Sequence, residues 1–316
     1  MSNDIGHDPK FSRSDFLKLL SGAGLALSAN SLWPDIAVAA QSLPTRPIPA
    51  TGERIPILGL GTSRVFNRAM SAEARTPLRE VIEMYLASGG SLIDTAPAYG
   101  KSEIVLGDLL RDLGATRKTF IATKVRTEGR EKGIESLAES IKRLGKSPID
   151  LMQVHSLRGW KTQLPVLRDW KTAGKFRYIG ITHSRNRAHE QVEQFLAKEP
   201  VDFLQINYSV LEQGADKRIL PMAHDKGIAV LINKPFNKAK MFDRVKGKPL
   251  PPWAADFDCK SWAQFFLKFS LSHPGVTCVL AATGKTKHLK DNVAAGFGRM
   301  PDAKQRQKMA SFWESV

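Results

Sequence analysis

Residues 119–155 read TFIATKVRTEGREKGIESLAESIKRLGKSPIDLMQVH, and this stretch decides the architecture. It opens on a short apolar run at 119–125, passes through an amphipathic pattern at 134–144, and closes on a second apolar run at 150–155. Short apolar runs flanked by turn residues mark parallel strands buried on both faces, and the amphipathic segment between two of them is a crossover helix. Outward from this unit the alternation recurs. Strands are expected also at 55–61, 91–95, 178–182, 202–207, 229–233 and 277–281, with helices at 77–88, 103–113, 164–172, 189–198 and 262–272.

Eight strands with no intervening all-α or all-β block make one sheet. At this spacing they suit an α/β fold closed as a single (β/α)8 TIM barrel, typically about 250 residues, better than an open doubly wound sheet. No Gly-x-Gly-x-x-Gly follows the first strand; Leu58-Gly59-Leu60-Gly61 comes nearest and lacks the third glycine, which weakens a Rossmann alternative. The barrel is expected over 55–316, after a Pro-rich linker and lead-in at 41–54.

The composition is that of a globular protein. With 42% hydrophobic and 25% charged residues in 316, disorder, collagen-like sequence and a polytopic membrane protein are excluded. The two cysteines, Cys259 and Cys278, form no CxxC and no zinc spacing, so neither a disulfide scaffold nor a metal site is expected. Lys and Arg number 47 against 31 Asp and Glu, a net charge of +16. These basic residues spread along the chain without zinc-finger spacing, an RNP signature or a basic block, so nucleic acid is not the expected partner. A phosphorylated cofactor accounts for part of the excess.

The first forty residues differ from the rest. Residues 19–38, LLSGAGLALSANSLWPDIAV, are too polar and broken for a stable membrane span, and Lys10, Arg13 and Lys18 precede them. With Ala37-Val38-Ala39 behind, 1–40 fits a cleavable export signal, cut near Ala39 or Ala40. Ser12-Arg13-Ser14-Asp15-Phe16-Leu17-Lys18 resembles the twin-arginine export motif, with Ser14 where the second arginine stands. That implies an export machinery as partner and a periplasmic or exported protein; an unused leader, left as an uncleaved arm, implies a cytoplasmic one.

In a barrel of this kind reactive groups sit where strands end at the carboxyl face. The strand ends carry Asp94, Tyr99 in the following loop, Lys124 and His155. Singly each has a structural explanation, as a turn cap, a rim aromatic, a snorkelling lysine and a core histidine. Together, at adjacent strand ends, they make a catalytic set. The segment 90–100, GSLIDTAPAYG, followed by Ser102, Glu103 and Gly107, resembles the signature of the aldo-keto reductases. Thr123-Lys124 and Val154-His155 stand where that family keeps its lysine and histidine.

The resemblance implies reversible, NADPH-dependent reduction of an aldehyde or ketone, with Asp94, Tyr99, Lys124 and His155 as the tetrad. Hydride arriving at a carbonyl carbon leaves an alkoxide that needs a proton donor, the role of Tyr99. Lys124 is expected to lower the phenol's pKa, Asp94 to hold the ammonium, and His155 to donate a hydrogen bond to the carbonyl oxygen.

For the cofactor, the resemblance points to Gly61 and Thr62 after the first strand, Thr182 and His183 after the fifth, Gln205 on the sixth, and Asn233 and Lys234 after the seventh. His183 replaces the family's asparagine, and Phe236 is the aromatic nearest its stacking tyrosine. The long lysine-rich loop to about Ser261 resembles the family's pyrophosphate belt and equally fits a solvated face. Thr283, Gly284, Lys285, Lys287, His288 and Asn292 resemble an adenosine-phosphate site at a helix start, where lysines favour NADPH, with NADH possible. A Walker A loop is excluded because Val279 stands where its first glycine belongs.

Phe66, Trp160, Phe236, Trp253 and Phe257 are candidate walls for a carbonyl substrate that the sequence does not name. Two other readings stay open. One is a nicotinamide-binding barrel with a redox-sensing or regulatory role and little turnover. The other is a basic exported protein on anionic surfaces, which needs no Tyr99 and whose affinity falls steeply with salt.

Overall fold

The computed structural model describes residues 42–68 and 71–316. Strands β1 (Thr45–Pro47) and β2 (Arg54–Pro56) form an antiparallel hairpin. Eight parallel strands then close a barrel: β3 (Leu58–Gly61), β4 (Leu92–Asp94), β5 (Phe120–Val125), β6 (Ile149–His155), β7 (Phe176–Thr182), β8 (Phe203–Asn207), β9 (Ala229–Asn233) and β10 (Cys278–Ala282), with β10 pairing β3. Around it lie α1 (Ala72–Ala87), α2 (Ser102–Asp112), α3 (Arg130–Leu144), α4 (Trp160–Thr172), α5 (His189–Lys198), α6 (Ile219–Asp225), α7 (Lys240–Arg244), α8 (Trp262–Leu271), α9 (Thr286–Ala294) and α10 (Ala303–Ser315). The fold is the expected TIM barrel. Among the described residues no helix is long and apolar enough to cross a membrane. The expected export signal lies outside the described residues.

Period-two alternation builds two apolar layers from one set of strands. Val230 and Ile232 on β9, and Leu204 and Ile206 on β8, face the helices; Leu231 and Phe203 face the barrel interior. The interior layer also takes Leu92, Phe120, Ala122, Leu151, Tyr178, Cys278 and Leu280. Each fully buried large apolar side chain contributes about 1.5–3 kcal/mol. Gly59 lets this layer close, since a Cβ there would lie 2.6 Å from Leu280 Cδ2. Below it the hairpin supplies Ile48 and Ile55, both buried, as the barrel floor.

The same alternation carried two residues further decides what tops the apolar layer. Leu92 leads to Asp94, Ala122 to Lys124, Leu151 to Gln153 and His155, Phe203 to Gln205, and Leu231 to Asn233. A polar storey therefore sits on an apolar one, at the carboxyl ends of the strands.

Several elements differ from the sequence expectation. The stretch expected as a linker contains β1, whose prolines bracket a strand of three residues. Helices α1 and α4 begin five and four residues before the expected starts. Pro77 and Pro165, which as prolines suggest a first helical position, lie inside them instead. For α1 the start is set by Ser71, whose hydroxyl accepts the Ala74 N–H at 3.3 Å. The lysine-rich loop is not structureless, since it contains α7 and a 3-10 turn at Pro252–Phe257.

Candidate active site

Asp94 ends β4, Lys124 stands near the end of β5, and His155 ends β6; pairing of β4 with β5 and of β5 with β6 sets them side by side. The Lys124 ammonium is fully buried and donates to Asp94 Oδ1 at 2.6 Å and to the Thr95 carbonyl at 2.7 Å. The Tyr99 ring centroid lies 5.0 Å from Lys124 Nζ, and the ring meets His155 edge-on with centroids 6.1 Å apart. The structure thus brings all four expected tetrad residues together.

Tyr99 sits on a 3-10 turn, Pro97–Tyr99, and its backbone is held from three sides. Its N–H donates to the Ala96 carbonyl at 3.0 Å, and its carbonyl accepts the Ser102 hydroxyl at 2.8 Å. The following Lys101 N–H donates to Asn67 Oδ1 at 2.9 Å. Glu103, fully buried at the start of α2, accepts the Thr123 hydroxyl of β5 at 2.6 Å and ties that helix to the strand carrying Lys124. Ser102 and Glu103 of the signature are therefore supports of the Tyr99 turn. Asn67 gave no sequence signal, because its partner is 34 residues away.

Electrostatics set the proton inventory. Burial works against the Lys124 ammonium, but the Asp94 carboxylate and the Tyr99 phenol beside it outweigh that and raise its pKa. Burial also raises the Tyr99 phenol above its ordinary value, with Lys124 pulling the other way. This corrects the expectation that the ammonium makes the phenol more acidic: desolvation is the larger effect. His155 is lowered to about 3 by burial first and then by Lys124, Arg126 and His183, so its imidazole is neutral near neutral pH.

Three of the four open onto a cleft of about 530 Å3, with Lys124 buried behind them. Asp94, Tyr99 and His155 line one side, with Gly61, Ser63, Arg64 and Val65; Thr182, Ser184, Arg185, Gln205, Asn233, Lys234, Phe236 and Lys238 line the other. Three lining residues carry buried polar atoms without a hydrogen-bond partner: Gln205 Oε1, Asn233 Oδ1 and His155 Nδ1. Buried carboxamide oxygens left open cost about 1–3 kcal/mol each, and a ligand that donates N–H groups recovers it.

Other expected contacts fall differently. His183 does not line the cleft; its Nδ1 accepts the backbone N–H groups of Ser184 at 3.1 Å and Arg185 at 3.3 Å, and its carbonyl accepts from Asn233. The imidazole shapes the β7 loop. Thr62 is buried behind Gly61, its N–H on the Asp94 carbonyl at 3.0 Å. Lys234 Nζ donates to the Ser184 carbonyl and clamps the β7 and β9 loops together. Lys285, Lys287 and His288 are exposed at the start of α9, and Thr283 and Asn292 are buried there; with Gly284 they stand apart from the cleft lining.

Of the five expected aromatic walls only Phe236 lines the cleft, its ring tilted against Phe242 with centroids 5.2 Å apart. Phe66 and Phe257 are core residues, while Trp160 packs on Phe195 at 5.1 Å and Trp253 on Phe312 at 5.6 Å. Ser63, Arg64, Ser184 and Arg185 were missed although each lies only one to three residues beyond a strand end. The strand-end rule that found the tetrad would have found them.

A barrel with this cleft at its carboxyl face defines a class, and comparison with known proteins names it. Residues 57–313 match the Aldo/keto reductase family, and the chain belongs to it. It is 31% identical over 201 residues to the aldo-keto reductase YhdN of Bacillus subtilis (strain 168), covering 58% of this chain and 59% of that protein. It is 29% identical over 194 residues to the NADH-specific methylglyoxal reductase of Escherichia coli (strain K12), covering 52% and 57% respectively. The matches thus span under two thirds of these curated relatives. The fold is shared with an aldo-keto reductase from Klebsiella pneumoniae in complex with NADPH, at TM-score 0.68 and 18% identity over 86% of this chain and 95% of that one.

Proposed function

We propose that this protein is an NADPH-dependent oxidoreductase that reduces an aldehyde or ketone to an alcohol, with Tyr99 as general acid. The observation that carries the reading is the buried Asp94–Lys124 pair against Tyr99 and His155 at the mouth of one cleft. The opposite wall fits a nicotinamide dinucleotide. The open oxygens of Gln205 and Asn233 would accept the N–H groups of its nicotinamide carboxamide. When bound, that cofactor supplies hydride to the carbonyl carbon.

The remaining work falls to residues of the chain. His155, neutral because its pKa lies at about 3, offers its ring N–H as a hydrogen bond to the carbonyl oxygen and carries no acidic imidazolium proton near neutral pH. The proton therefore comes from Tyr99, whose raised pKa keeps the phenol loaded. The Lys124 ammonium, held charged by Asp94, stabilises the phenolate left behind. Tyr99→Phe is expected to lower kcat for NADPH-coupled carbonyl reduction at least about a hundredfold, the lower range for general acid catalysis, and near-normal turnover in that variant refutes the assignment.

The preference for NADPH over NADH rests on Lys285, Lys287 and His288 at the amino end of α9, where charge and backbone N–H groups suit a 2′-phosphate. Fluorescence titration is expected to give tighter binding of NADPH, and equal affinities remove the preference. An NADH-specific relative makes this a test with two live outcomes. Export through a twin-arginine-type leader belongs to the same proposal. An intact Met1 or Ser2 start in protein from the native host would rule out cleavage.

A further inference from the structure

Tyr99 stands where the chain has little of its own to hold it. The strand end before it is fixed, since the Thr95 N–H donates to the Ala122 carbonyl at 2.8 Å and the Thr95 carbonyl accepts Lys124 at 2.7 Å. Beyond Ala96 come one 3-10 turn, Pro97–Tyr99, with no side-chain cap, and then Gly100 at φ 63°, a left-handed conformation that favours glycine. A group that must deliver a proton within hydrogen-bond reach tolerates little swing, because misplacement by about 1 Å can cost about a hundredfold in rate.

The far side of this turn is fastened from the loop after β3. Asn67 Oδ1 accepts the Lys101 N–H at 2.9 Å, and Gly100 lies against the same carboxamide, where a Cβ would fall 2.1 Å from Oδ1 and 2.7 Å from Cγ. The glycine is thus needed twice, for its φ and for the room it leaves Asn67. Asn67 is anchored in turn. Phe66 beside it is fully buried, the N–H groups of Val65 and Phe66 donate to the Thr62 carbonyl at 3.2 and 3.1 Å, and the Thr62 N–H donates to the Asp94 carbonyl at 3.0 Å. This loop therefore starts on the residue that holds Lys124 and finishes on the turn that carries Tyr99. Asn67 and Lys101 are both exposed, so the bond between them adds little to global stability. Its effect is on where the phenol stands.

We propose that Asn67 is a positioning residue for the proton transfer, its carboxamide oxygen holding the Tyr99 turn so that the phenol stays against Lys124 and His155. This rests on the carbonyl-reductase reading above. Asn67 is not part of the cleft lining, so it acts through Tyr99 and not on a ligand.

The test uses the full chain with Asn67→Ala and Asn67→Asp, the former also in a Tyr99→Phe background, and glyceraldehyde, butanal and 4-nitrobenzaldehyde as oxidants of NADPH. Asn67→Ala removes the acceptor and should lower kcat about tenfold, with KM for the aldehyde and NADPH affinity by fluorescence within about twofold and the urea unfolding midpoint unchanged. Asn67→Asp keeps an acceptor oxygen in the same place and should recover most of the loss. Once Tyr99→Phe is in place, Asn67→Ala should cost nothing more, since the group it positions is gone. Deuterium uptake at residues 97–101, measured without ligand, should quicken in Asn67→Ala and not in Asn67→Asp. Wild-type kcat in Asn67→Ala, an equal fall in both backgrounds, or unchanged uptake overturns the inference. Faster uptake in a protein that reduces none of the three aldehydes leaves the hold on the Tyr99 turn standing and sinks the carbonyl-reductase reading instead.

Discussion

At the floor of the barrel, Asp150 accepts the Ile121 N–H at 2.7 Å, Arg177 at 2.8 Å and Lys146, while Glu53 accepts Tyr178 at 2.6 Å and Arg177. At the mouth, Gln205 Oε1, Asn233 Oδ1 and His155 Nδ1 are buried without partners, and Arg64 makes no ion pair among the described residues. The same eight strands carry both ends. Where polar groups saturate one another they hold the hairpin onto the barrel; where they stay open they wait for a ligand, at a cost in stability.

Substitutions at the two ends should therefore separate stability from activity. A large effect on stability is expected for Asp150→Ala, which takes the acceptor from a buried N–H and removes one of two acceptors from each of two cations. We expect a loss of about 3 kcal/mol in denaturant unfolding, with kcat within about twofold of wild type. An equal fall in kcat would show that the floor is not purely structural. Next is Gln205→Leu, which removes an open acceptor at the mouth. Stability should change by less than about 1 kcal/mol while NADPH binding, followed by fluorescence, weakens about tenfold.

The third difference is a pH dependence. The His155 pKa in the folded protein, about 3, lies below its ordinary 6.5, so between these values the unfolded chain binds the extra proton. Stability should fall as pH drops from about 6.5 towards 3, and that part of the slope should vanish in His155→Gln. The pH–rate profile should show no histidine titration between about pH 5 and 8.

Most of the barrel was legible because buried parallel strands are written as apolar runs; β9 begins and ends where the sequence places it, and the other barrel strands shift by one to three residues. Asp94, Lys124 and His155 were legible for a related reason, since a polar residue beyond an inward apolar one on the same strand tops the interior layer; Tyr99, in the loop after β4, rested on the resemblance. What stayed hidden depended on direction or distance. Nothing in Thr182-His183 says that the imidazole turns back onto its own loop, and nothing in Phe66 or Trp253 says inward packing rather than lining. Similarly, the Tyr99 phenol was expected to gain acidity from a lysine that the sequence names. It loses more to desolvation, which only three dimensions reveal.

The plug formed by Ile48 and Ile55 has a kinetic corollary. With an oily stopper beneath the reaction chamber, no water chain climbs to Tyr99 from below. On the reaction proposed above, a hydrogen ion spent on a product would be replenished through the doorway by which the product departs, so recharging the acid and vacating the chamber would share one route and proceed in turn.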